Sequence, residues 1–311
     1  MKLVLAINAG SSSVKISAFS VEARGSPPRQ LAEAQVSGLT STPARMNYRR
    51  GDVTVFRDRE AASIASHDDA FSQLLQALID DEALPEVRQK GDVAIACHRI
   101  VHGGDYTSSQ VINRDTYHHL EELSELAPLH NGTALRIVQS CFDQLPDAVN
   151  VACFDSQFHA TLPEHIYTYP INPVIAKSNR LRKYGFHGIS YAFITRSVAA
   201  FLGKPLEDLN IIALHLGSGA SCCAILNGQS WDTSMGLTPL AGLPGATRSG
   251  SVDPRYVTVP GEKPRSHDTQ TATASCSITP ATSGSCPRRP RVISTYHAPR
   301  RSSTRRVGGR P

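Results

Sequence analysis

Two stretches of this chain, 207 residues apart, carry one pattern. "AINAGSSSVKISA" spans residues 6–18 and "ALHLGSGASCCAI" spans 213–225. Each reads as an apolar strand, a polar residue, a Gly/Ser turn and a returning apolar strand. The shift sets Asn8 on His215, Gly10 on Gly217 and Ser11 on Ser218. Such a turn offers backbone N–H groups and hydroxyls to an anion, and its glycine lets the anion come close. Two of them point to a duplicated domain, each copy giving one loop to a shared cleft. Chance similarity of two β-turns is the competing explanation.

The rest of the chain alternates strands and helices, which predicts an α/β fold. Residues 2–7 and 14–21 are expected as strands around the first turn, and 31–60 as further antiparallel strands. Residues 68–80 put Phe71, Leu74, Leu75, Leu78 and Ile79 on one helical face behind an acidic N-cap. "DVAIACHRIVHGG" (92–104) reads as a buried strand entering a Gly-Gly turn, and "AVNVACFD" (148–155) as a strand ending in an acid. "NGTALRIVQSCFDQL" (131–145) reads as a helix with an Asn at its start, and "GISYAFITRSVAAFL" (188–202) as a helix closed by Gly203.

At 311 residues the chain forms one large domain or two ordinary ones. No run of 18 apolar residues exists, so no transmembrane helix is expected. The apolar start is short and alternates like a strand, so it reads as mature protein and not as a signal peptide; a cytoplasmic protein is expected. Seven cysteines, with no C-x-x-C pair, argue against a disulfide framework or a zinc site.

The net charge of +5 is uneven. Residues 256–311 hold ten Lys/Arg and two acids, whereas the first 255 residues hold 22 basic and 25 acidic groups. The body is mildly acidic, so neither the pI nor the charge supports nucleic-acid binding. The tail is rich in Ser, Thr, Pro and Arg and lacks helical or strand periodicity, the composition of a disordered segment.

Polar residues gather at strand ends and glycines. Lys15 follows the first turn and sets a point charge for phosphate oxygens; Asn8 is a neutral oxygen ligand of the kind hard cations accept. Arg99 and His102 flank "HGG", His130 stands in "APLHNG", Asp155 ends an apolar strand, His187 sits in "YGFHGIS", and Arg248 lies in a Gly-rich loop. Singly, each has a bland reading as a cap or a solvated side chain. Together they fit phosphoryl transfer, which needs positioned positive charge, a metal and little else.

The set "NAGSSSVK", "HRIVHGG", "APLHN", "FDSQFH", "YGFHGIS", "HLGSGAS" and "DTSMGLTPL…TRSG" resembles the acetate kinases, a family of the acetate and sugar kinase/Hsc70/actin superfamily. The resemblance covers residues 1–254. It implies duplicated RNase H-like mixed sheets with helices, and reversible transfer of a phosphoryl group from ATP to acetate, giving acetyl phosphate. It also implies Mg²⁺, with Mn²⁺ as a substitute, and a homodimer that contacts neither nucleic acid nor membrane. By motif, Asn8 matches the metal-site residue. Lys15, Ser11, Ser13 and the loop His215, Leu216, Gly217, Ser218 and Gly219 match ATP contacts. Arg99 and His130 match the carboxylate-binding residues, and Asp155, His187 and Arg248 the catalytic ones. The family convention makes Asp155 a proton carrier; acetate is already an anion at pH 7, so a positioning role is preferred.

The implied domains are 1–155, a partial second domain at 156–255 carrying the ATP phosphate loop, and an aberrant tail at 256–311. Departures include Ser218 for Asn, Gly132 for Pro, and Ser251 for an acid. After Pro254 the family pattern stops, which reads as a frame shift or a decayed gene more readily than as a true basic tail. Two alternatives stand beside acetate kinase: a propionate- or butyrate-type acyl kinase, and an inactive, poorly soluble fragment with an incomplete second domain. Val101 suits a one-methyl pocket, but one apolar residue shifts chain-length preference by only about 1–3 kcal/mol.

Overall fold

The computed structural model describes residues 1–23, 26–41, 43–124 and 128–252, all within one compact unit, Met1–Pro264. The tail expected to be disordered, and the expected break near residue 255, lie outside the described residues.

The first half is built on an eight-stranded sheet. β1 (Lys2–Ala9) and β2 (Ser13–Val21) form the first hairpin, followed by β3 (Arg29–Ser37), β4 (Arg45–Arg50) and β5 (Val53–Glu60) as an antiparallel meander. Helix α1 (His67–Ile79) crosses over to β6 (Val93–Ile100), which lies parallel to β1. A short β7 (Gln110–Val111), α2 (Arg114–Leu123) and α3 (Pro128–Gln144) lead to β8 (Val149–Phe154), parallel to β6. The order is β5-β4-β3-β2-β1-β6-β8-β7. Three antiparallel strands followed by two parallel to the first form the RNase H-like mixed sheet expected.

Period-2 burial drives this sheet. Leu3, Leu5 and Ile7 of β1, with Val14, Ile16 and Ala18 of β2, are buried against Phe71, Leu74, Leu75 and Leu78 of α1 and Ile137 and Cys141 of α3. Helix α1 begins as its pattern predicts, but the cap is Ser66, which accepts from Asp69 N–H at 3.0 Å; the acids Asp68 and Asp69 fill the first turn. Helix α3 starts three residues before the expected Asn131, at Pro128. Asn131 is not the cap. Its amide is buried and bridges both backbone groups of His102: Oδ1 accepts from His102 N–H at 3.1 Å, and Nδ2 donates to His102 C=O at 3.0 Å.

After two short helices, α4 (Glu164–Tyr167) and α5 (Pro173–Ser178), helix α6 (Gly188–Leu202) ends at Gly203, φ +61°, as expected. A three-stranded sheet follows, β11-β10-β9, from β9 (Ile211–Leu216), β10 (Ala220–Leu226) and β11 (Gln229–Thr233). The two repeated stretches are both antiparallel hairpins with three-residue links, Gly10–Ser12 and Gly217–Gly219. His159, just past β8, is held to the second half by hydrogen bonds to Ser230 Oγ of β11 at 2.7 Å and to Phe186 C=O at 3.0 Å. No helix among the described residues is long and apolar enough to cross a membrane.

Candidate active site

The parallel strands β1, β6 and β8 end on one side of the sheet, and each carries a candidate residue there: Asn8, Arg99, and Asp155 just past β8. Ligands of open α/β sheets bind at such carboxyl ends. Asp155 is 2% exposed, and Arg99 reaches it with a fork: Nη2 donates to Oδ2 at 2.6 Å, and Nε lies 3.1 Å and 3.2 Å from the two oxygens. The remaining nitrogen, Nη1, donates to Asn8 Oδ1 at 3.0 Å. Burial disfavours the guanidinium charge, but Asp155 outweighs it and holds Arg99 above its ordinary pKa.

The backbone of Asp155 positions the next group. Its C=O accepts from Gly188 N–H at 2.8 Å, which sets the start of α6 against the end of β8. A Cβ on Gly188 would collide with that carbonyl, so the contact requires glycine. His187, the N-cap of α6, is left-handed at φ +61°, a strained setting for a non-glycine residue. Its Nδ1 is hydrogen-bonded to Ser221 Oγ at 2.8 Å, and Ser221 is held in turn by Tyr191 Oη at 2.5 Å. The ring stacks on His215 at 4.0 Å between centroids, and His215 Nδ1 bonds Ser190 Oγ at 2.9 Å. Burial first, then His215, pushes His187 down to about 4, with Arg99 and Arg248 adding to the effect and Asp155 opposing it. His215 is lowered too, first by burial.

The Gly-rich loop brings Arg248 to the same place. Arg248 Nη2 packs so closely on Gly219 that a Cβ there would collide with it, and that Cβ would also come within 3.3 Å of His187 Nε2. Arg248 Nη1 donates to Pro239 C=O at 3.2 Å, and no carboxylate pairs with it among the described residues. Burial, then repulsion from Arg99, holds its pKa below the ordinary value. The Gly217–Gly219 loop closes through Gly217 N–H to Gly219 C=O at 2.9 Å, and Ser218 C=O accepts from Ala246 N–H at 2.8 Å. Two arginines and two neutral imidazoles thus face one buried carboxylate, an arrangement short of negative charge.

Asn8, Arg99, Asp155, His187, His215, Gly219 and Arg248 are therefore linked in one network. Lys15, directly opposite Asn8 in the hairpin, has its ammonium 2.9 Å from Glu33 Oε2. Ser11 is exposed and Ser13 half-buried beside it, and Leu216, Gly217 and Ser218 are exposed on the second loop. His130 lies in the first turn of α3, and its side chain falls outside the described part of the structure. A concavity of about 900 Å³ between β4, β5 and α1 shares none of these residues. Ser221, Ser190 and Tyr191 were not singled out by sequence reasoning, and Asn131 was expected only as a helix start. A clue existed for Ser221, the register partner of His215 across β9 and β10.

Comparisons with known proteins identify the family. Residues 3–266 match the acetokinase family, and the chain belongs to it. It is 63% identical over 256 residues to a protein of Chaetomium globosum described as "Probable acetate kinase", covering 82% of this chain and 56% of that one. A Neurospora crassa protein of the same description is 62% identical over 259 residues, covering 82% and 55%. This chain therefore spans little more than half the length of these relatives. Among solved structures, a propionate kinase of Francisella tularensis superposes with a TM-score of 0.71 at 32% identity, and the acetate kinase of Porphyromonas gingivalis with 0.69 at 33%. Each match covers 82% of this chain and 62% of that structure, and the fold is the one these kinases share.

Proposed function

We propose that the site transfers a phosphoryl group reversibly between ATP and acetate, with acetyl phosphate as product. The observation that carries this reading is the surplus of positive charge around Arg99, Asp155 and Arg248 at the strand ends. Phosphoryl transfer is positioning plus electrostatic stabilisation, so fixed cations that lack an anion suit it. Arg99 would hold the carboxylate. Its fork now engages Asp155, which presets the guanidinium plane; Asp155 acts as a positioning group. Arg248 and neutral His187, able to donate from Nε2 when Ser221 holds Nδ1, would stabilise the transferring group. The Gly217–Gly219 loop, Ser11, Ser13 and Lys15 would cradle the nucleotide, with Lys15 leaving Glu33 to do so, and His130 would line the substrate side.

Mg²⁺ fits this donor set. It takes one or two protein oxygens and the rest from phosphates and water. Asn8 Oδ1 keeps a lone pair beside its bond to Arg99, and the ion would neutralise phosphate charge there. The reading includes a division near residue 155, each half contributing one hairpin loop, and a cytoplasmic homodimer. Val101, buried with Tyr184, Phe186 and Met235, provides apolar surface for a short acyl chain. The likeness to a propionate kinase keeps propionate as a second substrate reading.

The test joins residues 1–254 to the remainder of the Chaetomium globosum relative. Hydroxamate trapping of acetyl phosphate is expected to show turnover dependent on ATP, acetate and Mg²⁺. A folded chimera that phosphorylates neither acetate nor propionate would refute the reading.

A further inference from the structure

Behind His187 runs a short row of hydrogen bonds. Tyr191 follows His187 by four residues, so the two side chains lie on one face of α6, a turn apart. Ser221 of β10 stands between them. Its Oγ is 2.5 Å from Tyr191 Oη and 2.8 Å from His187 Nδ1. Tyr191 and Ser221 are each 0% exposed, so water reaches neither hydroxyl.

The protons of this row can point only one way. Each hydroxyl carries one proton, and a neutral imidazole carries one on either ring nitrogen. Among the described residues, Ser221 Oγ is the one side-chain acceptor within reach of Tyr191 Oη. A buried hydroxyl proton without an acceptor is costly, so Tyr191 donates to Ser221. Ser221 then turns its own proton to its other neighbour, His187 Nδ1. Nδ1 accepts, and the ring proton is left on Nε2. In the reverse direction Nδ1–H would donate to Ser221 and Ser221 to Tyr191, leaving the Tyr191 proton buried and unpaired. Burial first, then His215, keeps the ring neutral at pH 7. Nε2 faces the second loop, where a Cβ on Gly219 would press on both Arg248 Nη2 and His187 Nε2. Beside that guanidinium, charge alone favours a lone pair on Nε2. The Tyr191 hydroxyl works against that preference.

We propose that Tyr191 is a positioning residue: acting through Ser221, it fixes the proton of His187 on Nε2 and so sets a neutral donor beside Arg248. Neither Tyr191 nor Ser221 touches a candidate substrate position. The consequence for turnover rests on the kinase reading. With Nε2 protonated, His187 and Arg248 both donate to an anionic group between the loops. With Nδ1 protonated, the ring would set a lone pair against that group.

The test reads the proton directly, on the whole chain. Histidine ring nitrogens are labelled with nitrogen-15, and long-range proton–nitrogen spectra are recorded at pH 7.5, with His187 assigned by its loss in His187→Gln. The unmodified chain should give the pattern of a ring protonated at Nε2 alone. Tyr191→Phe keeps the buried ring but frees the direction of the Ser221 hydroxyl, so the Nδ1–H form should appear. Ser221→Ala, which also keeps the core packed, should end the single Nε2–H form as well. An Nδ1–H pattern in the unmodified chain, or an unchanged Nε2–H pattern in folded Tyr191→Phe, would overturn the assignment. In the chimera, Tyr191→Phe should lower kcat by ~10-fold, less than the ~10²–10³ of a donor removed outright, with the KM for ATP and acetate little changed. A raised KM with kcat kept would overturn the placing of this donor at the transferring group. A chimera without any turnover would refute the kinase reading alone, because the spectra decide the proton's position without it.

Discussion

Arg99 and Asp155 are joined from β6 to the end of β8 by contacts of 2.6 Å, 3.1 Å and 3.2 Å, and the same guanidinium reaches Asn8 on β1 at 3.0 Å. One side chain thus links the ends of all three parallel strands. Asp155 is almost fully buried, so removing its partner leaves an uncompensated charge. Arg99→Ala is expected to cost about 3–5 kcal/mol of stability, the range for breaking a buried pair. Urea unfolding measures this; a loss below 1 kcal/mol would show that water reaches the carboxylate.

Arg99→Lys separates charge from shape. Lysine keeps the charge but loses the planar fork. In the chimera, the apparent KM for acetate should rise with ATP affinity little changed. An effect confined to ATP would contradict a carboxylate role for Arg99.

Arg248 and Gly219 should behave as one unit. Arg248→Ala is expected to lower turnover by ~10²–10³, as when one preorganised donor is lost. Gly219→Ala should do nearly as much, because its Cβ would occupy the place of Arg248 Nη2. Wild-type turnover in either variant would remove Arg248 from the transition state.

Three buried histidines and the part-buried His187 set an acid limit on stability. Burial pushes His98, His102, His159 and His187 each down to about 4, below the unfolded value near 6.5. The unfolded chain therefore binds protons first as pH falls. Stability is full above about pH 6.5 and is lost progressively towards pH 4, at up to roughly 1.4 kcal/mol per pH unit per histidine. Melting temperatures between pH 7.5 and 4.5 should fall accordingly, and His159→Gln should flatten the slope. A flat profile would refute the burial of these rings.

Asn131 is expected to matter although it touches no candidate substrate position. Its amide satisfies both backbone groups of buried His102. Asn131→Ala should cost about 2–3 kcal/mol, the penalty for orphaned buried polar groups. Asn131→Asp should cost at least as much, because the donor to His102 C=O is lost and a buried carboxylate is set against that carbonyl. Thermal melts of the two variants check this, and wild-type stability in either would refute the tie.

The sequence by itself determined the local elements. Alternation marked β1, β2, β6 and β8, the 3.6-residue period marked α1, and Gly203 closed α6, because burial of one face and the backbone freedom of glycine are written into neighbouring residues. The repeat also predicted two hairpins with equal links. What local pattern did not reveal was partnership. Lys15 read as a free cation, yet faces Glu33 from the next strand; Asn131 read as a helix cap, yet serves a loop 29 residues earlier. Ser221 carries no signal of its own in the sequence, yet orients His187. Such contacts depend on strand register and on which strand ends meet. The crossovers of β6 and β8 bring Arg99 and Asp155 together over 56 residues, and the carbonyl of Asp155 then seats α6 and His187. Only the tertiary structure decided these distances, because hydrogen bonds and ion pairs act over a few ångströms in space irrespective of separation along the chain.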